Sequence, residues 1–187
     1  HTRFPHTLGV MHMMDRILRS IGKAVPDEKL FDPTNREEAT LFHRKMRLAA
    51  MLHDIGTFPF SHTIELAYIN HWKKQQNYGV KSRHPGHEAL GAHIIQNTNF
   101  PGGVTKVLKD EGIDPNELSA IIAGKSNHLL ANQLMHSDID ADRMDYLLRD
   151  AHHTGVNYGV YDADYLIHNL TTFNLENQEG LAIKDHA

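Results

Sequence analysis

The stretch Leu48-Ala49-Ala50-Met51-Leu52-His53-Asp54-Ile55-Gly56 joins an apolar run directly to an adjacent histidine and aspartate. The apolar run completes a helical pattern that begins at Arg36, and Gly56 and Pro59 are expected to end that helix. Charged groups at the end of a buried helix are unfavourable unless they are paired or bound to a metal. A His-Asp pair alone usually marks a cap or a surface pair, so its meaning depends on the rest of the chain.

The composition limits the classes of protein to which this chain can belong. Its 187 residues suffice for one domain with a hydrophobic core, and no run approaches the roughly 18 apolar residues that span a membrane. The absence of cysteine excludes disulfides and thiolate metal sites and fits a reducing compartment, so we expect a cytoplasmic protein. A net charge of −4 makes a nucleic-acid partner possible but gives no basic field that would indicate one.

The two ends of the chain look cut, because it starts at His1 without a methionine and stops at Ala187. We expect residues 1–187 to form a single domain that is a fragment of a longer chain. Near the end, residues 171–183 are predicted to form a β-hairpin, with residues 177–180 as its turn.

The rest of the chain is predicted to be mostly helical. Apolar residues at helical spacing place a first helix over residues 8–21. Ser61 is a suitable N-cap for a helix that runs to about Trp72, and polar residues 73–83 are predicted to form a loop, like residues 25–35. The other predicted helices are 36–52, 88–96, 104–111, 115–122, 129–136 and 138–152. We therefore expect an all-α helical bundle with a small β-hairpin near its C-terminal end.

The last predicted helix carries a polar face centred on Asp142. At about 100° per residue, Asp138, Tyr146, Arg149 and Asp150 fall within about 80° of Asp142, whereas the apolar side chains fall on the far side. Such a face could be a solvated acidic surface. The tyrosine and the arginine among the acids favour a polar cleft instead.

His6 lies just before the first predicted helix. It becomes a candidate metal ligand only when it is considered together with the other donor side chains. Together with His53, Asp54 and Asp142 it would form a mixed nitrogen and oxygen donor set. Such a set suits Mn, Fe, Co, Zn or Mg. A metal site with open positions can activate water at neutral pH, so this donor set predicts hydrolytic chemistry.

Four ordered motifs contain these residues and carry a family resemblance. They are Arg3-Phe4-Pro5-His6-Thr7-Leu8-Gly9-Val10, then Leu52-His53-Asp54-Ile55-Gly56 with Pro59-Phe60-Ser61-His62, then His87-Glu88, and finally the run from Asp140 to Gly155. Together they resemble the motifs of the HD superfamily. Their order and content are most similar to the deoxynucleoside triphosphate triphosphohydrolase branch, which includes the SAM-and-HD-domain proteins. The resemblance extends from Arg3 to about Asp162.

The resemblance implies an HD domain that binds one divalent metal ion and hydrolyses a nucleotide, in a chain that forms homo-oligomers. The implied metal ligands are His6, His53, Asp54 and Asp142. The implied catalytic residues are His62, Glu65, His87 and Glu88, in which His87 assists proton transfer with either Glu88 or Glu65. The implied substrate-binding residues are Arg3, Thr57, Arg143, Tyr146 and Asp150, and His62 is also expected to contact phosphate.

Local sequence supports two of these roles independently. His62 follows the predicted cap residue Ser61, at a helix N-terminus where phosphate is favoured. Glu65 lies within one helical turn of His62, so the two side chains can share a site.

One position departs from the family pattern and keeps three functions open. Thr57 stands where the family has a histidine, and Phe58 follows in place of a small residue; threonine cannot act as a general acid near pH 7. The first function is release of triphosphate from a deoxynucleoside triphosphate. The second is hydrolysis of another phosphoester, such as a different nucleotide or an oligonucleotide end. The third is a non-catalytic module that binds a nucleotide and regulates a partner.

Overall fold

The computed structural model describes residues 2–25, 31, 36–76, 86–175 and 178–185. Within these residues the chain forms helices α1 (Arg3–Ala24), α2 (Arg36–Leu52), α3 (His62–Gln76), α4 (His87–Asn97), α5 (Val104–Asp110), α6 (Pro115–Ile122), α7 (Leu129–Met135), α8 (Ala141–Thr154) and α9 (Ala163–Asn169). Two strands follow, β1 (Leu170–Leu175) and β2 (Gln178–Ile183). The predicted all-α fold with a small hairpin near the C-terminal end is confirmed.

The described residues group into two compact units. Unit 1 contains His1–Met51 and Ala120–Ala187, and unit 2 contains Leu52–Ser119. The expectation that residues 1–187 form a single domain stays a prediction. Among the described residues, the structure contains no helix with the length and apolar character needed to cross a lipid bilayer.

The core of unit 1 is organised around α1. Val10, Met14, Ile17, Leu18 and Ile21 are fully buried and recur every three or four residues, so they form one apolar stripe. This helix packs against α8, α9 and β1. Burying each such side chain contributes about 1.5–3 kcal/mol, so the stripe fixes the orientation of α1 and of every polar residue along it.

The hairpin of unit 1 is antiparallel and pairs Leu170 with Ile183 at one end and Leu175 with Gln178 at the other. The predicted turn at residues 177–180 was placed too late, because Gln178 to Gly180 already belong to β2. The side-chain oxygen of Gln133 in α7 accepts a 2.6 Å hydrogen bond from the Leu181 N–H, which ties β2 to that helix.

Unit 2 contains α3, α4 and α5, with Ile95, Leu108, Ile113 and Leu118 among its buried side chains. Helix α4 packs against α5. The fully buried Thr105 hydroxyl donates a 2.7 Å hydrogen bond to the Ile95 carbonyl, which satisfies a polar group at this contact.

Several predicted boundaries were wrong. Helix α1 begins at Arg3 rather than at residue 8, so His6 lies inside its first turns and not before it. Pro5 is compatible with this start because the first four N–H groups of a helix have no intrahelical partner. Helix α3 continues to Gln76 across part of the predicted loop, and the remainder of that loop lies outside the described residues, as does most of the predicted loop at 25–35.

The end of unit 1 also differs from the prediction. Helix α8 starts at Ala141 rather than at residue 138, because the Asp140 carboxylate accepts a 2.7 Å hydrogen bond from the Arg143 N–H and caps the helix. Asp138 therefore precedes the helix and is not part of its polar face. Helix α9 was not predicted from the sequence; Ile167 is its one buried residue, so the helix has no apolar stripe.

Candidate metal and catalytic site

Two helices of unit 1 bring His6 and Asp142 together. The apolar stripe of α1 turns His6 toward α8, where its side chain is buried. The Nε2 atom of His6 lies 3.0 Å from Oδ1 of Asp142, whose side chain is 39% exposed. Adjacent ligands around an octahedral ion at about 2.1 Å are separated by about 3.0 Å, so these two donors fit one divalent metal.

The other ring nitrogen of His6 is held by a second acid of α8. The carboxylate of Asp145 accepts a 2.8 Å hydrogen bond from His6 Nδ1. Arg149 in turn donates to both oxygens of Asp145, from Nε at 2.7 Å and from Nη2 at 2.8 Å. Asp145 is buried, so this two-point contact supplies the compensation that a buried charge requires.

The two acids shift the pKa of the histidine between them. Burial of His6 lowers its pKa, but hydrogen bonds and charge attraction from Asp142 and Asp145 outweigh it and raise the pKa to about 9. Burial of Asp145 raises its pKa, but the hydrogen bonds from His6 and Arg149 prevail and hold the pKa below its usual value. Without a metal, His6 is therefore an imidazolium between two carboxylates near neutral pH.

The predicted substrate-binding residues of unit 1 are placed at accessible positions. Arg3 is exposed at the first residue of α1, and Tyr146 and Asp150 are exposed along α8. The Arg143 guanidinium is 43% exposed and donates a 3.2 Å hydrogen bond to Asp138. These side chains can therefore reach a ligand in solvent without rearrangement of the core.

In unit 2 the His53-Asp54 pair occupies a tight turn that follows α2. The Ile55 N–H bonds to the Leu52 carbonyl at 3.0 Å, and the Thr57 N–H bonds to the Asp54 carbonyl at 2.9 Å. Gly56 is required in this turn, since a β-carbon there would overlap the His87 carbonyl oxygen at the start of α4. His53 Nε2 and Asp54 Oδ2 lie 3.7 Å apart, which presents a nitrogen and an oxygen donor side by side.

Thr57 contacts one of these predicted ligands directly. Its hydroxyl donates a 2.9 Å hydrogen bond to Oδ1 of Asp54. The hydroxyl proton is thus directed to the carboxylate, and only the lone pairs of the oxygen remain for another partner.

Glu65 joins the two predicted catalytic histidines. Its Oε2 accepts a 3.0 Å hydrogen bond from His62 Nδ1, and its Oε1 accepts from both His87 Nδ1 at 2.7 Å and the His87 N–H at 2.8 Å. The backbone hydrogen bond from His87 is the largest cause that lowers the Glu65 pKa, to about 2. An ionised acceptor therefore fixes both rings through Nδ1 and leaves both Nε2 atoms available for chemistry.

The backbone just before His62 has an unusual conformation. Phe60 and Ser61 adopt positive φ angles of 61° and 55°, which few residues other than glycine adopt. Ser61 therefore lacks the extended backbone of a typical N-cap, although α3 does begin directly after it. The His62 side chain is 72% exposed, so it can reach a ligand in solvent.

The alternative carboxylate at the start of α4, Glu88, is exposed on the first turn of that helix. The hydrogen-bonded partner of His87 is Glu65. Donor atoms of His62, Glu65 and His87 lie within 4.8 Å of one another, so this trio has the composition and spacing of a possible cation site.

One functional candidate, Asp145, was not predicted from the sequence. Asp145 was not among the residues predicted to form the polar face around Asp142, and its burial beside His6 is not visible in helical spacing. The available signals were Gly9, three residues after His6, and the i,i+4 arrangement of Asp145 and Arg149. A β-carbon at position 9 would overlap Oδ1 of Asp145, so Gly9 makes room for the carboxylate.

Comparison with protein families shows which family this chain belongs to. The family model described as "HD domain" matches residues 3–150. The chain belongs to the HD-domain family. HD domains bind divalent metal ions, and the histidine and carboxylate groups described above could hold one, which confirms the predicted cofactor class.

Several curated proteins are similar to this HD domain over most of its length. An uncharacterized protein of Methanocaldococcus jannaschii is 33% identical over 92% of the chain, and the YwfO protein of Bacillus subtilis is 33% identical over 89%. A deoxynucleoside triphosphate triphosphohydrolase SAMHD1 homolog of Dictyostelium discoideum is 28% identical over 83%. The chain spans 28%, 32% and 28% of these relatives, about a third of their length or less.

Solved structures show the same fold as this HD domain. A hypothetical protein of Aquifex aeolicus aligns with a TM-score of 0.69 and 29% identity, covering 100% of the chain and 42% of that protein. A phosphohydrolase of Bacteroides thetaiotaomicron aligns with a TM-score of 0.65 and 24% identity, covering 98% of the chain and 37% of that protein.

Proposed function

We propose that this HD domain is a metal-dependent phosphohydrolase that acts on a nucleotide, and that it converts a deoxynucleoside triphosphate to deoxynucleoside and triphosphate. The observation that carries the proposal is the Glu65 carboxylate, which fixes His62 and His87 at the same time. A pair of imidazoles with fixed Nδ1–H groups is suited to proton transfer and to phosphate binding near neutral pH.

The proposed ligands of one divalent metal ion are His6, His53, Asp54 and Asp142, as their places in the HD motifs imply. The support is the donor chemistry of the four side chains, the 3.0 Å separation of His6 Nε2 and Asp142 Oδ1, and their places in the HD motifs. When bound, the ion supplies Lewis-acid polarisation of the phosphate group.

The proposed reaction transfers the triphosphate group from the sugar 5′ oxygen to water. The water oxygen bonds to the α-phosphorus while the bond from that phosphorus to the sugar 5′ oxygen breaks. One proton leaves the water and one reaches the 5′ oxygen. His87 takes part in this proton transfer through Nε2, and His62, which is more exposed, contacts the phosphate chain. Glu65 stays ionised and keeps both rings in the required tautomer.

The remaining substrate contacts are assigned to accessible side chains. Arg3 and Arg143 bind phosphate oxygens, because guanidinium groups pair with phosphate through several donors. Tyr146 and Asp150 contact the sugar. The resemblance to a triphosphohydrolase of Dictyostelium discoideum supports a deoxynucleoside triphosphate as the substrate, at 28% identity.

A product-resolved assay tests the proposed function. The purified protein is incubated with deoxynucleoside triphosphates, ribonucleoside triphosphates and a 5′-phosphorylated oligonucleotide, with Mn²⁺ or Mg²⁺ and with EDTA, and the products are separated by chromatography. We expect triphosphate and deoxynucleoside, and loss of both with EDTA. Binding of nucleotide without any turnover would contradict the enzyme and support a regulatory module.

The assignment of the metal ligands has its own test. We expect the His53→Ala, Asp54→Ala double variant to lose both metal content and turnover, because two ligands are removed together. His93→Ala is the matched control, since His93 is an exposed histidine of α4. Full metal content in the double variant, measured by elemental analysis, would show that the ligands lie elsewhere, for example at His62, Glu65 and His87. Light scattering on the same samples tests for a homo-oligomer.

The contact of Thr57 favours a second candidate, hydrolysis of a different phosphoester. Because the Thr57 hydroxyl donates to Asp54, this position supplies neither the charged donor nor the transferable proton that a histidine would supply. A substrate that needs no help from this position would fit such a site. Cleavage of the oligonucleotide end but not of the triphosphates would support this candidate.

A further inference from the structure

The surroundings of His6 contain more polar contacts than metal binding by its Nε2 atom requires. Nδ1 faces Asp145 at 2.8 Å, while Nε2 faces Asp142 at 3.0 Å. Both acids lie on α8 three residues apart, so one face of this helix supplies one carboxylate to each ring nitrogen. The two carboxylates differ in exposure, since the Asp142 side chain is 39% exposed and the Asp145 side chain is 7% exposed.

Both oxygens of the buried acid accept hydrogen bonds. Oδ2 of Asp145 receives both His6 Nδ1 and Arg149 Nε, and Oδ1 receives Arg149 Nη2. A carboxylate held at two points by a guanidinium has a defined plane. The plane of Asp145 therefore sets the direction from which His6 can donate.

The backbone of α1 is adapted to this carboxylate. Gly9 lies one turn beyond His6, and a β-carbon at that position would overlap Oδ1 of Asp145 and crowd Nη2 of Arg149. A glycine within a helix lowers stability by roughly 0.5–1 kcal/mol relative to alanine. The glycine is thus unfavourable for the helix itself, and the contact that it permits is the Asp145–Arg149 pair.

We propose that Asp145, clamped by Arg149 in the space left by Gly9, is a positioning residue that holds His6 with Nε2 directed to the metal. The inference rests on the metal site of the proposed function. An ionised carboxylate can only accept, so Nδ1 carries the proton and Nε2 carries the lone pair when the metal binds. Neighbours of this kind orient metal-binding histidines and raise their basicity, and their loss typically weakens metal affinity about 10–100-fold.

Asp145→Asn tests the inference, with Asp110→Asn as its matched control. Asp110 is paired with Lys106 at the same i,i+4 spacing, but on the surface of α5. We expect the dissociation constant for Mn²⁺, measured by titration calorimetry, to rise about 10–100-fold in Asp145→Asn and less than twofold in the control. Nitrogen-15 NMR of the Mg²⁺-loaded protein should show a strongly hydrogen-bonded Nδ1–H of His6 in the wild type and a weaker hydrogen bond in Asp145→Asn, because a neutral amide replaces the charged acceptor.

Arg149→Lys provides a second variant in case Asp145→Asn does not fold. Lysine keeps the charge but not the two-point contact, so the Mn²⁺ affinity of Arg149→Lys should lie between those of the wild type and Asp145→Asn. If Asp145→Asn is unfolded, the affinity of Arg149→Lys should still be lower than that of the wild type. An unchanged affinity in a folded Asp145→Asn, or in Arg149→Lys when it is the sole folded variant, overturns the inference.

The His6→Gln variant distinguishes a failure of the positioning role of Asp145 from a failure of the proposed metal site. If His6→Gln loses Mn²⁺ affinity but Asp145→Asn does not, His6 is a ligand and the positioning role of Asp145 is wrong. If His6→Gln binds Mn²⁺ as well as the wild type, the proposed metal site itself is wrong.

Discussion

The hydroxyl of Thr57 donates a hydrogen bond of 2.9 Å to Oδ1 of Asp54, three residues earlier in the same turn. The contact links the position that departs from the HD motif to a proposed metal ligand. A hydrogen bond to a charged group contributes about 1.5–3 kcal/mol in folded proteins, enough to favour one orientation of the Asp54 carboxylate.

Removal of this donor should weaken metal binding more than it weakens the fold. In Thr57→Val, which keeps the shape of the side chain, we expect Mn²⁺ affinity to fall by about 10-fold, at the lower end of the range for groups that orient metal ligands. Thr57→Ser keeps the hydroxyl and should bind Mn²⁺ like the wild type. Calorimetric titration of both variants measures the effect, and equal affinities would show that the Asp54 carboxylate is oriented by other contacts.

Thr57→His should change turnover by more than the roughly 10-fold change in metal affinity that is expected from loss of the hydroxyl. A histidine at this position could donate a charged hydrogen bond to phosphate and transfer a proton, and general acid–base catalysis typically contributes about 10²–10⁴-fold. If the substrate is a deoxynucleoside triphosphate, kcat should rise or stay unchanged. A fall in kcat measured by steady-state kinetics at saturating Mn²⁺, with full metal content confirmed by elemental analysis, would favour a different substrate.

Glu65→Gln should lower turnover while leaving the metal in place. An amide presents one oxygen and one NH₂ group, so its oxygen can accept the hydrogen bond of only one of the two histidines. We expect kcat to fall by about 10²-fold or more, as for the loss of one general acid–base group. Glu88→Gln is the matched control, because Glu88 is the exposed neighbour of His87. A loss of turnover in Glu88→Gln alone would assign the proton-transfer partner of His87 to the other carboxylate.

The stability of the metal-free protein should decrease as the pH rises through the range in which His6 titrates. The two carboxylates raise the pKa of His6 from 6.5 to about 9, so protonation is favoured in the folded state. The stabilisation is complete below pH 6.5 and is lost between pH 6.5 and about 9. The free energy of unfolding of the wild type relative to His6→Gln, measured with urea in EDTA at several pH values, should shrink over this window. An increase with pH would contradict the assigned pairing.

Gly9→Ala should destabilise the protein although alanine is the better helix former. The added β-carbon would overlap Asp145 Oδ1 inside a packed contact, and overpacking typically costs 1–3 kcal/mol, about the size needed to outweigh the helical preference. Gly22→Ala in the same helix is the control, since a β-carbon there lies 3.1 Å from a carbon of the Phe31 ring, which can shift. Urea unfolding compares the two variants. A Gly9→Ala protein as stable as the wild type would show that the contact is loose.

The fold could be predicted from the sequence where apolar spacing is long and its ends carry clear signals. Helix α2 was predicted with its observed bounds, Arg36–Leu52, because its apolar run ends at Leu52 and Gly56 and Pro59 lie beyond its end. The start of α1 was predicted too far along the chain, at residue 8, because Pro5 and His6 interrupt the apolar pattern. Once the stripe from Val10 to Ile21 is packed, the helix extends back to Arg3.

The candidate site could be predicted less completely than the helices that carry it. The approach of His62 and Glu65 follows from their spacing of three residues along α3, and the structure adds the contact from the same carboxylate to His87, which spacing cannot provide. The role of Asp145 depends on the packing of α1 against α8, a contact between residues 139 positions apart. No local pattern specifies which of several acids on α8 becomes buried.

The glycine at position 9 has a consequence for protein design. Transfer of His6 and Asp142 onto two helices of another scaffold would reproduce the donor atoms. It would not reproduce the separation between the two helix backbones. An ordinary side chain at the corresponding position would occupy the space that the carboxylate needs beside the histidine. A grafted site would then carry its ligands on freely rotating side chains, and it would discriminate poorly among divalent ions that differ in radius and preferred geometry.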